Sequence, residues 1–88
     1  MNSGVWDVRL ARSAAKSLNA APAKDRRLLT AALQQMKDDP FSGDVIRLEA
    51  QPTAWRRRVG SWRILFDVDP TNRTVDVADI ERRTSTTY

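Results

Sequence analysis

The chain has 88 residues, neither cysteine nor histidine, and 15 Lys and Arg against 11 Asp and Glu, for a net charge of +4. That length makes one domain with a small core, so residues 1–88 read as a single unit without a disulfide, a thiol nucleophile or an imidazole. No run approaches the ~18 apolar residues of a membrane span, and the first residues lack the basic-then-apolar layout of a signal peptide. The expected location is the cytoplasm, and a basic balance favours polyanionic partners, nucleic acid or an acidic protein.

Trp6, Val8 and Leu10 alternate with Asp7 and Arg9, which predicts a first strand. Arg12 to Asn19 is a short helical stretch with Ala14 and Leu18 on one side, ended by Asn19-Ala20-Ala21-Pro22. Pro22 suits the first turn of a second helix, and Asp25 suits its positive end. Leu28, Leu29, Ala32, Leu33 and Met36 recur at helical spacing as the expected buried stripe. Asp39-Pro40 stops this helix, because the residue before proline is pushed out of the helical region. Phe41 to Pro52 reads as loop, with room for a short extended piece at Val45 to Leu48.

The segment from Trp55 to Phe66 is the most informative. Two strand-like runs, Trp55 to Val59 and Trp62 to Val68, flank Gly60-Ser61, a pair suited to a two-residue type II′ turn. That turn predicts the pairs Val59 with Trp62, Arg58 with Arg63, Arg57 with Ile64, Arg56 with Leu65 and Trp55 with Phe66. Alternation then puts Arg56, Arg58 and Arg63 on one face, and Trp55, Val59, Trp62, Ile64 and Phe66 on the other. Arg57 falls among the apolar residues, so it must snorkel or the register must bulge. Residues 55 to 63 carry four arginines and no acid, and like charges facing one another across a ladder destabilise it. One reading is a solvated face with splayed side chains. The other is an anion site, since guanidinium forks match phosphate oxygens.

Asp69-Pro70-Thr71-Asn72-Arg73 signals a turn. Thr74 to Glu81 is a last strand whose apolar alternation changes phase, which predicts a β-bulge near Val77-Ala78. The order β-α-α-β-β-β makes an α+β fold, a small antiparallel sheet packed on a helical hairpin, with the other sheet face left to the arginines.

These elements resemble the RelE/ParE superfamily of bacterial toxins over roughly residues 5 to 88. The likeness rests on the helix pair ending Asp39-Pro40-Phe41, on Ile46-Arg47-Leu48, on the block from Trp55 to Ile64, and on Ile80-Glu81-Arg82-Arg83 with Tyr88. It implies the toxin of a type II toxin–antitoxin system, in its RelE-like branch a ribosome-dependent endoribonuclease cutting mRNA. The ParE-like branch shares the fold and poisons DNA gyrase instead. Matching the RelE-like pattern residue by residue implies catalytic roles for Arg56, Arg58, Arg63, Arg83 and Tyr88. It implies RNA-phosphate binding by Arg56, Arg58, Arg63 and Arg82, with Arg82 and Arg83 competing for one family position. The implied partners are a cognate antitoxin in a hetero-oligomer, the ribosome and mRNA, with no membrane, metal or cofactor.

Arginines stabilise phosphorane charge but are poor general bases, and Tyr88 is the remaining candidate base, its phenol acidified by nearby arginines. Slow intrinsic chemistry follows, with the ribosome supplying alignment. Asp67, Asp69, Asp76 and Asp79 form a competing magnesium-site reading, although Asp beside a turn is ordinarily a capping residue. Trp6, Trp55 and Trp62 belong with the core by parity. An antitoxin would find the exposed side of the second helix and the sheet edges open to a partner helix or an added strand, and an acidic disordered segment would neutralise the arginines.

Overall fold

The computed structural model describes residues 5–82. Arg83 and Tyr88 therefore lie outside the described residues. In chain order the elements are β1 (Asp7–Leu10), α1 (Arg12–Ala20), α2 (Ala23–Asp38), β2 (Asp44–Arg47), β3 (Trp55–Val59), β4 (Trp62–Asp69) and β5 (Thr74–Arg82). They build one five-stranded sheet in the order β1-β5-β4-β3-β2. No helix among the described residues is long and apolar enough to cross a membrane.

The α+β architecture matches expectation, with two differences in the sheet. The short extended piece is a full edge strand, β2, pairing antiparallel with β3. The sheet is also mixed, because β1 runs parallel to β5, with Asp7 beside Thr74 and Leu10 beside Val77. Alternation marks β1 as a strand, but direction is set by the path through α1 and α2, which returns the chain to the far edge.

The β3–β4 hairpin has the predicted register from Val59–Trp62 to Trp55–Phe66. Gly60 sits at φ +59° at the first turn position, where a side chain would be strained. The predicted bulge also appears in β5. Leu65 pairs with Asp79 and Phe66 with Val77, so Ala78 is the unpaired residue, and Val77 and Ile80 both reach the core.

That core lies between α2 and one sheet face. Leu29, Ala32, Leu33 and Met36 of α2 meet Trp62, Ile64, Phe66, Val75, Val77 and Ile80, joined by Ala14 of α1. Each large apolar side chain buried this way contributes roughly 1.5–3 kcal/mol. Leu28, expected in the stripe, is instead 48% exposed. Pro22 caps α2 rather than opening its first turn, and Asp25 and Lys37 sit at the ends that favour their charges.

Arg57 does point into the helix side. Its Nη1 donates to Ser42 Oγ at 3.1 Å and its Nη2 to Gln35 Oε1, while Nε finds no partner. Burial pushes this guanidinium below its ordinary value. No bulge is needed in β3. Gly43, at φ +79°, closes over Arg57 so tightly that a Cβ would stand 2.9 Å from Cζ.

Candidate functional site

The sheet face away from α2 carries a groove of about 630 Å³. Its floor is Arg56 of β3, Arg63 and Leu65 of β4, and Ala78, Asp79 and Glu81 of β5. Ser13 in the first turn of α1 forms one wall, and Leu48 with Gln51–Thr53 of the β2–β3 connection forms another. Two local features aim these residues. The Gly60-Ser61 turn fixes the phase that turns Arg56 and Arg63 outward. The Ala78 bulge shifts β5 by one residue, so that Glu81 stands directly opposite Arg63.

Arg56 is 8% exposed, yet no hydrogen bond or ion pair reaches its guanidinium among the described residues. An anion entering the groove would find the Arg56 guanidinium without a competing carboxylate among the described residues. Arg63 Nη2 lies 3.3 Å from Glu81 Oε1, and its Nε has no hydrogen-bond partner among the described residues. Arg58 is more open, its Nε 3.9 Å from Asp44 Oδ2.

The run of four arginines is therefore not without acids. Register places Asp44, Arg58, Arg63 and Glu81 in one row across β2, β3, β4 and β5. The two inner arginines face each other and each outer strand supplies one carboxylate. Sequence reasoning missed Asp44 and Glu81 because both come from other strands. Carrying the hairpin register through the bulge to β5 was the signal that could have found Glu81.

The structure brings Arg56, Arg58 and Arg63 to one face, as expected. It does not bring Arg82 there. Arg82 pairs with Trp62 in the ladder, lies 5.4 Å from that ring's centre, and has Nη2 3.9 Å from Asp25 Oδ2 of α2. The other tryptophans also belong to the packing. Arg73 stacks over Trp6 at 5.2 Å, and Arg47 over Trp55 at 5.6 Å, with Phe41 edge-on to Trp55.

Three of the four aspartates of the magnesium reading are employed locally, and the fourth, Asp76, is exposed. Asp67 Oδ1 accepts the Ala54 N–H at 2.8 Å. Asp69 caps its turn through the N–H groups of Thr71 and Asn72 and the Asn72 side-chain amide. Asp79 Oδ1 accepts Ser13 Oγ and the Ile80 N–H. No three acidic side chains cluster as metal ligands among the described residues.

No protein-family model matches the sequence, and no curated protein matches it. Solved structures do resemble it in fold. RelE in the archaeal RelE–RelB complex of Pyrococcus horikoshii superposes with TM-score 0.79 at 20% identity, over 93% of this chain and 99% of that one. The toxin–antitoxin complex RelBE2 of Mycobacterium tuberculosis gives 0.76 at 20% identity, over 89% and 98%. The isolated RelE toxin of E. coli gives 0.77 at 14% identity, over 92% and 87%. The chain has the RelE fold.

Proposed function

We propose that this protein is the toxin of a type II toxin–antitoxin pair and that it is a metal-independent endoribonuclease acting on ribosome-bound mRNA. The observation that carries the reading is Arg56, nine-tenths covered, unpaired among the described residues, and opening on a groove beside Arg63. Two guanidinium groups on one rigid ladder suit a phosphodiester and the extra charge it gains during transesterification. The RelE fold supports the choice of substrate, and the RelE–RelB complexes among its structural likenesses support an antitoxin partner.

Arg56 and Arg63 take the scissile phosphate, and Arg58, more exposed at the rim, takes a neighbouring one. Arg82 is occupied on the helix face, so Arg83, the next residue in sequence, is the arginine proposed for the family position, together with Tyr88. The place of action is the cytoplasm, where ribosomes meet message. The test is tight induction of the chain followed by sequencing of mRNA ends. New ends within translated reading frames are expected within minutes, and their absence overturns the reading. DNA breaks with translation intact would instead identify a gyrase poison.

A further inference from the structure

The groove holds two carboxylates, and they are held differently. Asp79 Oδ1 accepts hydrogen bonds from Ser13 Oγ and from the Ile80 N–H, both at 2.9 Å, so the scaffold fixes it. Glu81 is held by Arg63 at 3.3 Å, and its side chain remains 41% exposed. Cleaving RNA at its own 2′-hydroxyl requires a group to take that proton. A chain without histidine or cysteine offers carboxylate or phenol for the task.

We propose that Glu81 is the general base of this groove and that the substrate phosphate itself frees it to act. The proposal rests on the endoribonuclease reading above. In the unbound protein Glu81 is the anion that Arg63 holds. A phosphodiester competes for the same guanidinium. Once it has taken Arg63, the Glu81 carboxylate loses the ion-pair contact that held it and its oxygens are open to the 2′-hydroxyl. Glu81 stands directly opposite Arg63 in the β4–β5 ladder, so a phosphate held by Arg63 brings its own nucleotide beside Glu81.

In the step itself the 2′-hydroxyl proton passes to Glu81. The 2′-oxygen bonds to phosphorus and the bond from phosphorus to the 5′-oxygen breaks. The departing 5′-oxygen takes a proton from water, and the hydroxide left behind is neutralised by the proton on Glu81. The products are a 2′,3′-cyclic phosphate and a 5′-hydroxyl. Arg56 and Arg63 hold the added phosphorane charge. Asp44, the other acid of the row, lies outside the groove lining at the β2 edge and takes no part.

The experiment compares the wild type, Glu81→Gln and Glu81→Asp in single-turnover cleavage of mRNA on programmed ribosomes at neutral pH. Glu81→Gln should cut at least ~10²-fold more slowly while binding programmed ribosomes as tightly or more tightly. Glu81→Asp should restore part of the rate. Thermal melting confirms that each variant is folded, as expected where only a half-exposed ion pair is lost. Glu81→Gln cutting within threefold of wild type overturns the proposal and leaves the endoribonuclease reading standing. Faster cutting also overturns it, making Glu81 only a lock on Arg63. A wild type that does not cut sinks the endoribonuclease reading, and the proposal falls with it.

Discussion

Arg58 and Arg63 stand directly opposite one another across the β3–β4 ladder, and each meets a carboxylate on its far side, Asp44 for Arg58 and Glu81 for Arg63. The row reads acid, base, base, acid. A like-charge pair that would destabilise a bare hairpin is thereby tolerated, with the two cations still presented to solvent. Arg63 faces the groove, whereas Arg58 stays at its rim beyond the lining.

Burial and partnering rank the arginines. Arg56→Ala and Arg63→Ala should each lower single-turnover RNA cleavage by about 10²–10³-fold, the range for losing one preorganised charge donor. Arg58→Ala should cost about tenfold or less, since its exposed charge is screened. Thermal unfolding of Arg58→Ala should match wild type within about 1 kcal/mol. A larger loss for Arg58→Ala than for Arg56→Ala would contradict the groove as the reaction site.

Much of this arrangement was legible in the sequence. Gly60-Ser61 left one register for the hairpin, and Arg56, Arg58 and Arg63 fell on one face because strand alternation has period two. The phase change in β5 could be met only by an extra residue, found at Ala78. Other features depended on distant packing. The parallel direction of β1 follows from the route through both helices. The outward turn of Leu28 follows from the narrowness of the face α2 shows the sheet, and Arg82 faces Asp25 and Trp62 because β5 lies beside them. Asp44 and Glu81 reach the arginine row from strands that flank the hairpin in space.

Arg57 gives a test of packing against charge. It is 7% exposed and relies on Gln35 and Ser42 side chains, with Nε unpartnered. Replacing a buried cation with an apolar chain of similar length is often neutral or stabilising, whereas truncation leaves a void. Arg57→Met should fall within about 1 kcal/mol of wild type or above it in urea unfolding. Arg57→Ala should lose about 2–3 kcal/mol. Equal losses for both would mean that the guanidinium hydrogen bonds, not the volume, hold the site.

Gly43→Ala tests the lid over that side chain. The position combines φ +79° with a Cβ site 2.9 Å from the Arg57 guanidinium carbon. Alanine in the left-handed region alone costs about 1 kcal/mol. The contact should add to this in the wild-type background, and Arg57→Met, with a more flexible end, should remove part of that excess. A double-mutant cycle measured by urea unfolding should therefore show coupling between the two positions. Strict additivity would show that φ accounts for the whole loss.

The β4–β5 turn carries a pH dependence of definite sign. The Asn72 side-chain amide, and after it the Asn72 backbone N–H, hold the Asp69 carboxyl below the usual carboxylate range. In the unfolded chain the same group titrates near about pH 4. The folded state therefore binds the proton less readily than the unfolded state. The turn's contribution is complete above about pH 4 and is lost as pH falls through the lower folded-state value. Asn72→Ala removes the largest cause of the shift. Its melting temperature should lie below wild type at neutral pH, and the gap should narrow on acidification below about pH 4. Wild-type and Asn72→Ala melting curves recorded from neutral to acid pH decide the matter. A gap that stays constant throughout would mean that Asn72 supports the turn through its backbone geometry and not through the Asp69 charge.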